Sequence, residues 1–220
     1  MKKLLIECVE ALGAATDRFP WEQRAAYADW LAQTYYYVRH TTRLIATAMA
    51  RFPLDERGTS LHHRFAAHLG EEKKHEQLAL HDLKHVGASI TELPEHPSTR
   101  MFYESQYYKI EHLGPVVHFG YILPLEGIGP ASGKRITDRA AAAHGAKCVS
   151  FLRLHAKDDV EPLEKALAIV AGVAPTERAL IEDNMRQTTH GYCTMLLDIR
   201  SRLQDSSSRA ETAAPAWSPS

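Results

Sequence analysis

Imidazole and carboxylate side chains share one face of a predicted helix over residues 60–87. Steps of four and then three residues lead from His68 to Glu72 and His75, and seven further residues lead to Asp82. Residues three or four positions apart lie on the same face of a helix. Leucine and phenylalanine residues flank this face, so we expect it to point inward. Buried groups of this kind are stable only when they pair with one another or bind a metal.

Two other stretches supply matching side chains. Glu126 is the one acid in the apolar run of residues 115–130, where its burial requires a partner. His155 and Asp159 form an HxxxD pair in the region that follows. Inward-facing glutamates and ExxH pairs from several helices hold two iron or manganese ions in helical bundles. Each motif alone is equally compatible with a solvated helix face or a salt bridge, so the combination carries the prediction of a metal site.

Apolar residues recur with a helical period along most of the chain, and no alternating strand pattern is found. The pattern predicts seven or eight helices, over residues 3–17, 21–51, 60–87, 99–112, 115–130, 131–158, 162–172 and 176–203. The fold class is therefore all-α and bundle-like. We expect one domain over residues 1–204. The small, polar, proline-bearing tail at 205–220 is expected to be disordered.

The overall composition excludes several function classes. A net charge of -1 and a pI near 6.9 give no support for nucleic-acid binding. No apolar run approaches the ~20 residues that a membrane span requires, and acidic residues interrupt the amino-terminal apolar patch, so no signal peptide is expected. Three scattered cysteines do not indicate a disulfide framework. We therefore expect a cytoplasmic protein that acts on a small molecule, and a homodimer remains an open alternative.

The order of the three motifs resembles a known family. An ExxH pair (Glu72, His75), a buried acid in a Leu-Glu-Gly sequence (Glu126) and an HxxxD pair (His155, Asp159) are similar to those of the haem-oxygenase-like di-iron oxidases and oxygenases. These are often described as iron-containing redox enzymes, and thiaminase II and the pyrroloquinoline-quinone synthase are related to them. The resemblance covers roughly residues 20–200.

This resemblance implies a haem-oxygenase-like bundle of seven to eight helices and a non-haem iron centre, with two ions, that activates dioxygen. The five motif residues would be the metal ligands. The implied reaction is the oxidation of a small organic substrate, such as an amino acid or fatty acid derivative, in biosynthesis. Three aromatic side chains are expected to line the substrate pocket: Tyr36, Tyr107 and Phe119.

One position departs from the pattern of the resembled family. Its third core helix reads HxxxDxxH, but the last histidine is replaced here by Pro162. Proline offers no ligand atom and disturbs a helix. His40 and His68 are the candidates to replace the missing imidazole; otherwise the second ion binds weakly, or one ion is used.

Three alternatives stay open at this stage. Pro162 favours a metal-free oxidase similar to the quinone synthase. A non-enzymatic helical scaffold or regulator would use the same polar groups only as internal pairs. A thiaminase-like hydrolase would use Cys148 as its nucleophile, with His144 one turn earlier as the activating base.

Overall fold

A computed structural model describes residues 1–156 and 160–212, with side chains described outside 157–165 and 206–220. Within these residues the chain forms α-helices and short helical turns. The helices are α1 (Lys2–Asp17), α2 (Arg24–Val38), α3 (Thr41–Met49), α4 (Glu56–Glu71), α5 (His75–His85), α6 (Pro97–Leu113), α7 (Phe119–Ile128), α8 (Lys134–His144), α9 (Ser150–His155), α10 (Val160–Ala171) and α11 (Pro175–Thr212). The turns are 3₁₀ turns at Ile90–Glu92, Pro115–His118 and Ala146–Cys148, and a π-helical turn at Gly129–Gly133.

The all-α prediction is confirmed, and the described part of the chain contains no strand. Three of the predicted helices are each divided into two, so the described residues form eleven α-helices where seven or eight were predicted. The divisions fall between α2 and α3, between α4 and α5, and between α8 and α9. The last helix continues to Thr212, past the predicted start of the tail at residue 205.

Helix α7 lies at the centre of the bundle and contacts both α11 and α1. Its buried residues occupy all sides of the helix, as expected for a helix that has no polar face. The predicted buried helix in this segment is confirmed, and Pro124 lies inside it. A cluster of fully or nearly buried aromatic rings, Trp21, Tyr27 and Trp30, packs beside α5 and α9. This core fixes the helices that surround the predicted metal ligands.

The predicted helix over residues 60–87 is interrupted after Glu72. Lys74 has φ 72° and ψ 12°, and it is the one described non-glycine residue with positive φ. A left-handed conformation costs a non-glycine residue roughly 1–2 kcal/mol, so the surrounding packing must hold it in place. The helix therefore ends and restarts between the two halves of the ExxH motif. Gly87 follows α5 with φ 78°, and this left-handed glycine ends the helix.

A buried carboxylate joins α5 to α9. Asp82 is fully buried, and its Oδ2 accepts a hydrogen bond of 2.8 Å from the backbone N–H of Phe151, in the first turn of α9. The other oxygen, Oδ1, lies 3.1 Å from Nδ1 of His81. A carboxylate satisfies the free N–H groups and complements the dipole at a helix amino terminus. Asp82 therefore has a structural role, and it positions the short helix that carries His155.

Among the described residues, no helix combines the length and the apolar character needed to cross a membrane.

Replacing Asp82 by alanine should lower the free energy of unfolding by about 2–3 kcal/mol, because a buried backbone N–H then loses a charged acceptor. Urea denaturation followed by circular dichroism measures the change. Asp138→Ala is the control, since this exposed carboxylate makes only a surface ion pair with Lys134 and its loss should change stability by less than ~0.5 kcal/mol. Equal effects of the two substitutions would contradict the assigned role of Asp82.

Lys74→Gly should leave stability unchanged or raise it by up to ~1 kcal/mol, because glycine adopts positive φ without strain. Lys73 is also exposed but has negative φ, so Lys73→Gly should lower stability by about 0.5–1 kcal/mol. Denaturation curves of the two variants under identical conditions provide the comparison. A larger loss for Lys74→Gly than for Lys73→Gly would show that the left-handed turn is not a strained position.

Candidate metal centre and cavity

A cavity of about 500 Å³ lies between α2, α4, α5, α7 and α9. Its volume is in the range of cavities that bind small organic molecules. Most of its wall is apolar, and its titratable side chains are the following: Tyr37, His68, Glu71, Glu72, His75, His118, Tyr121, Glu126, His155 and Tyr192. Among the described residues of its wall, three are acids and none is lysine or arginine.

Three of the predicted ligands meet on the wall of this cavity. One ligand atom each of Glu72, His75 and His155 lies within 4.8 Å of the other two. Nδ1 of His75 is 3.2 Å from Oε2 of Glu72, and the rings of His75 and His155 are 5.2 Å apart and nearly perpendicular. All three side chains are partly buried. Two imidazoles and one carboxylate on one face of an ion are the donor set of non-haem ferrous oxygenases.

The tautomer of His155 follows from its hydrogen bond. Nδ1 lies 2.9 Å from the backbone carbonyl oxygen of Phe151, which can only accept. Nδ1 therefore carries the proton, and the lone pair of Nε2 is available to a metal. A ligating histidine is commonly held by such a bond through its other nitrogen.

Neighbouring imidazoles keep Glu72 ionised. Burial alone would raise the pKa of this carboxyl group. The hydrogen bond with His75 and the nearby charges of His75, His68 and His155 outweigh that effect and hold the pKa below its ordinary value. Glu72 is thus a carboxylate at neutral pH, the form that binds a metal.

Helix ends, not helix interiors, position these ligands. Glu72 and His75 stand on either side of the left-handed turn at Lys74, and His155 is the last residue of α9. The π-helical turn brings α9 close: a Cβ at Gly129 would collide with the carbonyl oxygen of His155, and one at Gly133 would come within 2.9 Å of Ala156. Glycine at these two positions permits the approach of the two segments. Helical irregularities of this kind are frequent at functional sites.

His68 and Glu126 form a second pair on the same cavity. Nε2 of His68 lies 3.5 Å from Oε1 of Glu126, and Nδ1 lies 3.4 Å from Oε2 of Glu71. Of the two histidines considered as a replacement for the missing imidazole, His68 is therefore the one on the cavity wall.

His40 lies elsewhere. Its Nδ1 is 2.9 Å from the hydroxyl oxygen of Tyr107, and its ring stacks on Tyr103 at 3.9 Å. Burial, with Arg39 and Arg43 nearby, lowers the pKa of His40 to about 4. It does not line the cavity, so the structure favours His68 over His40 as a further ligand.

The three aromatic residues expected in the pocket are also absent from the cavity wall. The hydroxyl of Tyr36 donates to the carbonyl oxygen of Leu93, 3.1 Å away, and Tyr107 pairs with His40. Phe119 is buried edge-on against Phe65. The aromatic rings that do line the cavity are Trp21, Trp30, Tyr37, Tyr121, Phe151 and Tyr192.

The proposed nucleophile Cys148 is not placed for catalysis. Its thiol donates to the backbone carbonyl of His144 at 3.0 Å, and Nε2 of His144 is 2.7 Å from the carbonyl oxygen of Trp21. The imidazole therefore does not activate the thiol, and burial, with Asp82 nearby, raises the pKa of Cys148. Cys148 is also outside the cavity wall. Asp159, the remaining predicted ligand, lies outside the described residues.

Sequence reasoning missed two polar residues on the cavity wall. His118 and Tyr121 are 1% and 3% exposed. Both ring nitrogens of His118 lack a hydrogen-bond partner among the described residues, and so does the hydroxyl of Tyr121. Burial, with His68 nearby, lowers the pKa of His118 to about 3, so the ring is neutral. The signal that could have found His118 is its position in an apolar run, the criterion that singled out Glu126.

Comparison with solved structures supports the haem-oxygenase-like fold. A protein of unknown function from Shewanella denitrificans with a heme oxygenase-like fold superposes with a TM-score of 0.81 at 16% identity, covering 100% of this chain and 97% of that chain. A TenA homologue from Pseudomonas syringae gives 0.76 at 13% identity, with 91% and 92% covered. A TenA homologue from Pyrococcus furiosus gives 0.62 at 12% identity, with 89% and 98% covered. The predicted fold is thus confirmed.

The sequence itself matches no curated protein with which it was compared. It does match the family model described as iron-containing redox enzyme, over residues 28–192. The matched region holds the carboxylate, both imidazoles and most of the residues that line the cavity. The chain therefore belongs to the family of iron-containing redox enzymes.

Proposed function

We propose that the protein is a non-haem iron-dependent oxidoreductase that uses dioxygen to oxidise a small organic substrate. The observation that carries the proposal is the placement of Glu72, His75 and His155 on the wall of a cavity large enough for such a substrate. This donor set fits ferrous iron, because one carboxylate and two imidazoles leave positions open for other ligands. Membership in the family supports the same metal.

Glu72 and His155 have defined tasks in this proposal. Glu72 is already ionised and would contribute negative charge, while the Nδ1–H of His155 donates to the Phe151 carbonyl and leaves the lone pair of Nε2 available to hold an ion. Bound ferrous iron would supply an open coordination position and an electron for dioxygen activation. The apolar wall of the cavity excludes water from the substrate and so protects reactive species from side reactions.

A second ion would draw on the other groups of the cavity. Glu126 and His68 already lie 3.5 Å apart, and Asp159 completes the predicted set. Pro162 removes one imidazole from that set. We therefore propose a tighter first site at Glu72, His75 and His155 and a weaker second site in which His68 replaces the missing histidine.

The substrate class proposed from the family resemblance is an amino acid or fatty acid derivative. A cavity of about 500 Å³ with a mainly apolar wall accommodates an aliphatic or aromatic chain of that size.

A metal-free oxidase of the same fold is the second candidate. Pro162 favours it, because the second ion lacks a ligand. The two candidates differ in a simple way: only the first requires iron for oxygen consumption.

Anaerobic titration with ferrous iron should show at least one equivalent bound per chain by metal analysis. His75→Ala and His155→Ala should each weaken binding by about 100-fold or more, since each removes an imidazole ligand. The iron-loaded protein should produce an optical transient when oxygen is added, and the chelated protein should not.

His63→Ala is the matched control, because His63 is an exposed histidine on α4 away from the cavity wall. It should bind iron like the unchanged protein. If neither His75→Ala nor His155→Ala alters iron binding, the proposed centre is wrong. If oxygen is consumed equally well by the chelated protein, the metal-free candidate is favoured.

Pro162→His should raise the bound iron from about one towards two equivalents, because it restores the HxxxDxxH spacing. Leu163→His is the control, since it introduces the same imidazole one position out of register. His68→Ala should instead lower the occupancy of the weaker site and leave the tighter site unchanged. Titrations that show identical stoichiometry for all these proteins would exclude a second site built on these residues.

A further inference from the structure

The cavity contains two buried polar groups that the proposed metal centre does not use. His118 lies at the end of the 3₁₀ turn before α7, and Tyr121 follows one turn later. Their rings stack with centroids 5.5 Å apart and an interplanar angle of 15°. Both side chains are more than nine-tenths buried. They form one polar site, which we call the His118–Tyr121 pair.

Both nitrogens of His118 and the hydroxyl of Tyr121 have no partner among the described residues. Burying such groups without hydrogen bonds costs free energy, so native proteins rarely leave them unpaired. Another hydroxyl on the cavity wall does have a hydrogen-bond partner: Nε1–H of Trp30 donates to the hydroxyl oxygen of Tyr192, 3.3 Å away. The unpaired groups therefore indicate where a ligand makes its hydrogen bonds.

The pair lies close to the proposed metal centre. His118 and Tyr121 line the same cavity as Glu72, His75, His155 and His68. His68 in turn contacts Glu126. A molecule bonded to the pair is thus held beside the ligands of the proposed centre.

The chemistry of the pair selects the bound group. A neutral imidazole has one donor and one acceptor nitrogen, and a phenol both donates and accepts. A carboxylate can only accept and would bring negative charge towards Glu72 and Glu126. An ammonium group can only donate. A hydroxyl or a primary carboxamide does both, and so it can satisfy donor and acceptor together.

We propose that the His118–Tyr121 pair binds the hydroxyl or carboxamide group of an uncharged, otherwise apolar substrate and orients it beside the metal centre. The inference rests on the proposed function in taking this cavity as the substrate site. It narrows the substrate class from acids to their uncharged derivatives. The apolar side chains of Ile122, Leu125 and Phe151 line the cavity around the rest of the molecule.

The test measures the binding of four probes of equal chain length, 1-hexanol, hexanamide, hexanoate and hexylamine, by isothermal titration calorimetry. The full-length protein is used both chelated and anaerobically loaded with ferrous iron. In the chelated protein, hexanol and hexanamide should bind about 10-fold more tightly than hexanoate and hexylamine. This arm does not depend on iron, so its failure is distinguishable from the failure of iron loading.

His118→Phe and Tyr121→Phe should each weaken hexanol and hexanamide binding by about 5-fold, because each removes hydrogen-bonding groups while keeping an aromatic ring. Tyr192→Phe is the control and should change the affinities by less than about 2-fold, since its hydroxyl already has a partner. Tyr121→Phe deletes a single oxygen atom, so it carries the test if His118→Phe does not fold.

Equal or tighter binding of hexanoate or hexylamine by the chelated protein would overturn the proposed selection of an uncharged group. Unchanged hexanol affinity in both phenylalanine variants would overturn the assignment of the pair as the binding site.

Discussion

The geometry of the proposed metal centre depends on one buried carboxylate. Asp82 accepts the backbone N–H of Phe151 and thereby holds the first turn of α9 against α5. Helix α9 has six residues, too few to be stable on its own in water. Its position must therefore come from tertiary contacts at its two ends. Asp82 supplies one of them, and the close approach of Gly129 and Gly133 supplies the other. His155 faces His75 because both ends are fixed.

Residue type and spacing were sufficient to predict the all-α fold and three side chains that meet, Glu72, His75 and His155. Their signal was the spacing of the ExxH and HxxxD pairs and the order of these motifs along the chain. Glu126 was singled out as a polar group inside an apolar run, and the same criterion would have found His118. The divisions after Val38 and after Glu72 were not predictable in this way, because neither glycine nor proline marks them. Lys74 adopts its left-handed conformation through tertiary packing, which overrides local preference. The pocket residues Tyr36, Tyr107 and Phe119 were misplaced, because an aromatic side chain alone does not show which face of its helix borders the cavity.

The cavity combines two environments that serve different ends. One part carries carboxylates and imidazoles that neutralise one another, and it suits a divalent cation. The other part is aromatic and aliphatic, with neutral hydrogen-bonding groups at His118 and Tyr121. No lysine or arginine is found among the described residues of the wall, so the carboxylates of Glu71, Glu72 and Glu126 are balanced only by the imidazoles beside them. A wall with this balance of charge favours cations over free anions.

The left-handed turn at Lys74 separates the spacing of Glu72 and His75 from the packing of the two helices. In an uninterrupted helix, inserting or deleting one residue rotates everything beyond it by about 100° and turns the buried face to solvent. Between α4 and α5 the chain is already non-helical, so a change of length there is absorbed by the turn and both core faces keep their register. The spacing between the carboxylate and the imidazole is thereby uncoupled from the packing of the bundle. Ligand spacing, and with it the choice of metal and coordination geometry, can vary during evolution while the scaffold stays the same.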